Sequence, residues 1–435
     1  MFQTFRNAWK IQDLRKKILY TLFIIVIFRL GCAIQVPFLD PDVLKSWLSS
    51  NSSFLNIFDV ISGGSFSQCT LFALSITPYI NASIIIQLLT VAIPALERLS
   101  KEGEEGRKKL NRVTRVTSFI LGLILSIGYY LTLKSQGALT YTTGTAKWFT
   151  AAVIIIAFTA GASLIMWLGE QINDKGIGNG ISMILFASIV SRGTTVIKTL
   201  GSAVKISLQN SILIPVILII FLVMIVFVIF FTEAERRIPI QYAKRVVGRK
   251  MYGGQNTHIP IKVALNGVMP IIFAMSLMSI PSTIYSFLTN QPTSGFWFEF
   301  FRFFNSSGAG YAVLYALLII GFSYFYSAIQ YNPIEIANNL RKNNGGIPGI
   351  RPGKPTTDYI TRVISKITLI GAIFLGLIAI LPIVFSKFLN SGGTNITQSI
   401  SLGGTTMLIL VGVALETSRT LESQMMMRHH KGFLE

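Results

Sequence analysis

Apolar residues in this chain gather into long unbroken runs separated by short polar or basic stretches, without the alternation of a strand or the one-sided stripe of a surface helix. The hydrocarbon core of a bilayer is about 30 Å thick and takes roughly 20 apolar residues in helix to cross. Ten runs approach that length: 19–37, 71–93, 116–133, 149–168, 181–196, 212–231, 263–287, 311–329, 367–385 and 402–421. The fifth is short, and the tenth carries Glu416 and Arg419 near its end. The pattern predicts an all-α integral membrane protein with ten transmembrane helices. The first run is longer than the core of a cleaved signal, and Phe38-Leu-Asp40 after it is no small-x-small site, so this span is expected to be retained.

Composition agrees with the runs. Half the residues (51%) are hydrophobic and only 13% charged, with a mean hydropathy of +0.59; soluble domains carry about 25% charged residues. The net charge of +20 would suggest nucleic acid in a soluble protein, but in a membrane protein basic loops first report topology. Of the 38 Lys and Arg residues, 29 fall in the segments on the side of the N-terminus and 7 on the opposite side, with Arg29 and Arg192 inside runs. That asymmetry predicts both termini in the cytosol and an even number of spans. Cys32 and Cys69 are too few for a disulfide framework.

Three segments are not ordinary spans. Between runs one and two, Phe54, Ile57, Phe58 and Ile61 recur at helical spacing before Gly63-Gly64. Eight helical residues reach only about 12 Å, so this segment is either a surface amphipathic helix or a half-helix folded back into a protein-lined cavity, where alone non-spanning backbone is tolerated at membrane depth. The 31-residue loop 232–262 holds two strand-like runs, 237–242 and 258–262, around a basic stretch, and predicts a projecting hairpin. The 37-residue loop 330–366 pairs a helix-like start with a Gly/Pro-rich tip at 345–355. Topology alone needs a few charges, not loops of this size.

Catalytic chemistry is not legible. The three histidines, His258, His429 and His430, lie in loop or tail segments, and neither H-E-x-x-H nor G-x-S-x-G occurs. Gly349-Ile-Arg-Pro-Gly-Lys354 imitates a phosphate-binding loop, but Pro348 and Pro355 stand where that motif needs Gly and Ser or Thr. No metal or cofactor is implied. Arg192 and Glu416 lie near the ends of their runs and are expected to snorkel. Arg29 lies about 15 Å into the first run by helical rise, where it marks a functional site, pairs with a neighbouring helix end or reaches a polar lumen. Midplane carboxylates, which a secondary transporter of a small solute would need, do not appear in the runs; a membrane-embedded enzyme would instead show a convergent polar cluster.

Several blocks resemble the SecY family, the channel-forming subunits of bacterial protein translocases. They are Ser75-Ile-Thr-Pro-Tyr-Ile-Asn-Ala-Ser-Ile-Ile-Ile-Gln-Leu-Leu89, Lys101-Glu-Gly-Glu-Glu-Gly-Arg107, Trp167-Leu-Gly-Glu-Gln171, Gly176-Ile-Gly-Asn-Gly-Ile-Ser182, Tyr242-Ala-Lys-Arg245 and Gly349-Ile-Arg-Pro-Gly353. The resemblance runs from the first span to the tenth. It implies two pseudo-symmetric halves, 19–198 and 199–421, around a central pore, with a cytosolic N-terminal segment 1–18 and tail 422–435. It also implies a pore ring of Ile76, Ile80, Ile181, Leu185, Ile272 and Ile409, and a plug at about 54–66. Because Ile181 falls at the start of its run, span five is expected to begin earlier, near Ile177. A lateral gate would lie between spans two, three, seven and eight, with Gln87 on span two and with Pro78 and Pro270 bending spans two and seven. Arg249 and Arg351 would engage the SecA motor or the ribosome, although Ile334 stands where the family often has Arg. The implied function is a protein-conducting channel in the cytoplasmic membrane, not an enzyme. It would work with SecE, SecG, SecA, the ribosome, signal-sequence-bearing polypeptides and membrane lipid.

Overall fold

The computed structural model describes residues 2–50, 59, 62–141, 144–206, 208–242, 245–247, 250–252, 256–264, 267–287, 295–304, 308–390 and 403–429. Each of the ten apolar runs falls on a helix. In chain order the helices are α1 (Phe2–Lys10), α2 (Gln12–Gly31), α3 (Pro41–Ser50), α4 (Thr77–Ala92), α5 (Pro94–Lys101), α6 (Glu104–Ser135), α7 (Ala146–Lys175), α8 (Gly180–Ile206), α9 (Leu208–Glu233), α10 (Met269–Phe287), α11 (Phe296–Phe303), α12 (Ala309–Gln330), α13 (Pro333–Lys342), α14 (Lys354–Asn390) and α15 (Gly403–His429). Spans one to ten correspond to α2, α4, α6, α7, α8, α9, α10, α12, α14 and α15.

Helix ends differ from the apolar runs for identifiable reasons. α2 starts seven residues before the first run, because the polar stretch Gln12–Lys17 continues the helix. It stops at Gly31, after which the chain turns at Cys32–Ala33 and Val36 N–H donates to the Cys69 carbonyl (3.0 Å). Arg29 is therefore not deep in a span: it lies in the last turn of α2 and is exposed, where a cation complements the helix dipole. Pro78 and Pro270 do not bend helices. Pro78 occupies the first turn of α4, and Pro270 is the second residue of α10, positions where the missing N–H breaks no helical bond. The sharp bend lies instead between α4 and α5, at 101°, where Ile93 is extended ahead of Pro94.

Span five begins at Gly180 rather than near Ile177, and the Gly176–Ser182 block explains why. Gly178 has φ +76°, and the Asn179 side chain accepts from Ile181 N–H (3.1 Å) and Ser182 N–H (3.4 Å), capping the first turn of α8. Gly180 lies against the α7 backbone; a Cβ there would stand 1.9 Å from the Gly169 carbonyl oxygen.

The strand-like runs of the first large loop pair as expected: β1 (Glu235–Tyr242) lies antiparallel to β4 (Asn256–Lys262), with Ile238 opposite Ile259. Between them β2 (Arg245–Val247) and β3 (Lys250–Tyr252) form a small hairpin. The sequence did not foretell that the second large loop joins the first. β5 (Gly345–Gly346) adds to the free edge of β1, and Ile238, Ile240, Ile261, Leu340, Ile347, Ile360 and Ile364 bury one common core. Both loops thus form one body at one end of the bundle. The main core runs through the spans and draws residues from α2, α4, α7, α8, α9, α10, α12, α14 and α15.

Candidate functional site

Five of the six ring candidates, Ile76, Ile80, Leu185, Ile272 and Ile409, are buried in that main core, and Ile181 packs against it half-buried. They come from α8, α10, α15 and the start of α4, so spans of the first and second halves of the chain meet here. Ile76 and Ile80 are one helical turn apart, joined by the Ile80 N–H to Ile76 carbonyl bond (3.1 Å); Ile181 and Leu185 have the same spacing. A cavity of about 640 Å³ is lined by Leu185, Ile272 and Ile409 and, toward the sheet, by Lys262, Glu416, Arg419 and Gln424. Its floor is apolar and its mouth charged. At the mouth Arg419 pairs with Glu233 (3.3 Å). Burial, followed by repulsion from Arg419, holds the Lys262 ammonium below its ordinary pKa.

On the other side of the ring lies the segment that ends in Gly63-Gly64. Phe54, Ile57, Phe58 and Ile61 fall outside the described residues; what is described is folded inward rather than laid on a surface. Asp59, Ser62, Ser65 and Phe66 are buried. The Asp59 carboxylate accepts from Arg192 (2.6 Å) and from Ser67 N–H (2.8 Å), while its carbonyl accepts from Gly64 N–H (2.8 Å) and the Ser62 hydroxyl (3.1 Å). Gly63 takes φ +67° and passes so near α8 that a Cβ would stand 2.9 Å from the Ser188 carbonyl oxygen. Ser188 follows Leu185 by three residues, about 4.5 Å of helical rise. The turn therefore rests on α8 close beside the ring. Across from it, the Tyr129 hydroxyl donates to the Phe66 carbonyl (2.6 Å) and its ring stacks on Phe66 (4.5 Å). Arg192 does not snorkel; it turns inward to Asp59.

The third feature is the seam between the halves. Gln87 of α4 accepts a hydrogen bond from the Tyr326 hydroxyl of α12 and donates to Ser83 (3.3 Å). Phe273 of α10 lies against Tyr326 (4.9 Å) and Phe322 (6.0 Å). α10 also touches α4 and α6, so spans two, three, seven and eight are closed against one another. Arg351 is exposed on the tip of the second loop, between Gly349 (φ +79°) and Gly353 (φ +108°). Arg249 lies outside the described residues.

The sequence reading missed Asp59, Ser188, Tyr326 and the Lys262–Arg419 mouth. One signal for the first was available. Asp59 is the sole charge between Lys45 and Glu97, and Arg192 the sole charge between Lys175 and Lys198. A lone acid and a lone base, each in a long uncharged stretch, are candidates for one another.

A sequence model of the family described as SecY matches residues 70–418. The chain belongs to the SecY family. Its relatives include proteins named "Protein translocase subunit SecY" from Halalkalibacterium halodurans, 42% identical, and Bacillus subtilis, 41% identical, each aligned over 100% of both chains. A third of that name, from Thermotoga maritima, is 39% identical over all of this chain and 98% of the relative. Among solved structures, one described as a protein conducting channel superposes with a TM-score of 0.64 at 18% identity, covering 94% of this chain and 92% of the other. Sec61 in the canine ribosome-channel complex gives 0.59 at 17% identity over the same shares. At such identities the structures establish the shared SecY-type fold, an all-α membrane bundle.

Proposed function

We propose that this SecY-family chain is the channel subunit of a protein translocase. It passes unfolded secretory polypeptides through its centre and releases apolar segments sideways into lipid between spans two, three, seven and eight. The observation that carries this reading is the apolar ring drawn from both halves of the chain, with an open cavity on its sheet side and the Gly63-Gly64 turn beside it. An apolar collar excludes water when closed and yields to a passing chain without binding it. In this reading residues 19–198 and 199–421 are the two halves, the segment around 54–66 is the plug, and Gln87 holds the gate shut through Tyr326. Both termini and the sheet body face the cytosol of the cytoplasmic membrane, in keeping with 29 of 38 basic residues on that side. The partners are SecE, SecG, the SecA motor and the ribosome, the last supported by the fold neighbour from a ribosome-channel complex. The energy for transport comes from a partner.

The test is reconstitution of the chain with copurifying subunits in vesicles, supplied with SecA, ATP and a secretory precursor. The precursor should become protease-protected. Arg351→Glu should abolish that protection while the chain stays inserted, because Arg351 is exposed and reversal repels an acidic protein surface or RNA phosphate. Absence of protection with the unaltered chain, together with uptake of a small solute, would instead establish a transporter.

A further inference from the structure

The turn of chain between spans seven and eight carries an unusual helix. α11 reads Phe-Trp-Phe-Glu-Phe-Phe-Arg-Phe, so six of its eight residues are aromatic. Its inner side is fixed to the bundle: Phe301 lies against Tyr285 of α10 (5.0 Å), and Phe304 just beyond it packs on the main core. Phe303 closes over the first turn of α12, where a Cβ on Gly310 would stand 2.4 Å from its ring. The outer side is uncovered. Phe296 is 77% exposed, Trp297 62%, Phe300 37% and Phe303 48%. Positions 296, 300 and 303 recur at helical spacing, so these rings form one face.

We propose that this face is inserted in the lipid of the membrane leaflet farther from the sheet body, at the level of the headgroups and upper acyl chains. Three observations choose lipid over water or protein. α10 begins just after β4 and α12 ends just before α13 and β5, so α11 joins the ends of two spans remote from the sheet, where those spans leave the bilayer. The uncovered apolar surface continues onto both neighbours, through Ile280 and Ile284 on α10 and Val313 and Leu317 on α12, the faces a membrane bundle turns to lipid. The side chains are the type found on interfacial helices: Trp sits at headgroup level with its indole N–H toward water, and Phe rings form the apolar face that enters the acyl boundary. An eight-residue helix reaches about 12 Å, enough to lie along the interface and too little to cross. The helix therefore anchors the outer ends of spans seven and eight to the bilayer. Its relevance to gating rests on the channel reading above, whereas its depth in lipid does not.

The experiment measures that depth directly. Trp9, Trp47, Trp148 and Trp167 are replaced by Phe in the full chain, leaving Trp297 as the one indole, and the protein is placed with its copurifying subunits in phosphatidylethanolamine–phosphatidylglycerol vesicles. Lipids brominated near the headgroup end of the acyl chains should remove roughly half of the Trp297 emission, as expected for an interfacial ring. Lipids brominated near the chain ends should quench less, and aqueous iodide should have little effect. If the four-fold replacement lowers expression, the difference between the unaltered chain and Trp297→Phe yields the same signal. Strong iodide quenching without lipid quenching would place the face in water, and protection from both quenchers would place it under a protein partner. Stronger quenching from the chain ends would place it too deep. Each of these outcomes overturns the proposal, and none depends on whether the chain transports protein.

Discussion

Arg192 stands in an otherwise uncharged stretch and invites a reading as a topology charge that reaches to the bilayer surface. Its pairing with Asp59 at 2.6 Å gives it another role: the Asp59 side chain is only 9% exposed and that of Arg192 28%. Removing one partner of a buried pair leaves the other as an uncompensated charge, a loss of about 3–5 kcal/mol for a fully buried pair and less here because Arg192 still meets solvent. Among the described residues, Arg192→Leu leaves the Asp59 carboxylate with the Ser67 N–H alone, and the turn over Ser188 should loosen. A cysteine placed at Ser65, which is 2% exposed, should then react several-fold faster with a membrane-impermeant maleimide added from the side opposite the sheet. Asp59→Asn should have a smaller effect, since an amide oxygen still accepts from Ser67. Equal labelling of Ser65→Cys with and without Arg192→Leu would show that the pair does not hold the turn. Here the residue types were legible but their partnership was not. Nothing in local sequence states that position 59 meets position 192, since only the packing of the loop onto α8 makes them neighbours.

At the scale of elements, hydropathy placed a helix at each predicted run, because a run of about 20 apolar residues has little alternative to helix in lipid. It misplaced helix ends, and the family resemblance misplaced the bends, because both are set by caps, prolines and close backbone contacts that neither registers. The Gly176–Ser182 block illustrates the gap. The sequence offers it as a family signature, whereas its physical content is a left-handed glycine, an asparagine cap and a helix start pressed onto the α7 backbone. That content predicts a contrast within one helix. Gly180→Ala brings a methyl 1.9 Å from the Gly169 carbonyl oxygen, so α7 and α8 must separate, at about 1–3 kcal/mol as for other overpacking changes. Gly193→Ala in the same helix meets nothing within 4 Å and gains about 0.5–1 kcal/mol of helix propensity. Thermal denaturation in detergent should therefore place Gly180→Ala below the unaltered chain and Gly193→Ala level with it or above. The reverse order would contradict the close approach of the two helices. The two large loops show the same gap: their union through β5 depends on a strand pairing across more than a hundred residues, which neither loop's own sequence states.

In the channel reading proposed above, the whole molecule is organised around a ring of side chains that carry no signal of their own. Isoleucine in an apolar span is the commonest of residues, and only the meeting of α4, α8, α10 and α15 sets Ile80, Ile272 and Ile409 apart from their neighbours. Above this ring the cavity reaches a charged mouth; beyond it the Asp59–Ser67 turn rests on α8. An ion entering from the mouth must shed its hydration shell to pass an apolar collar, and that loss is the barrier. Asparagine in place of the three isoleucines brings donors and acceptors that hold water in the neck and should lower the barrier, so that vesicles containing the triple variant leak ions at rest. The turn should limit the leak, since its Gly63 abuts Ser188 about 4.5 Å along the helix from Leu185. Deleting 56–65 in the triple variant should then raise conductance beyond either change alone, whereas deleting it in the unaltered chain should leave most of the seal, because the collar still excludes water. Planar-bilayer recording of the purified complex reads all four states. If the triple variant is as tight as the unaltered chain both with and without the deletion, the three isoleucines are ordinary packing residues, and the conducting path lies elsewhere in the bundle.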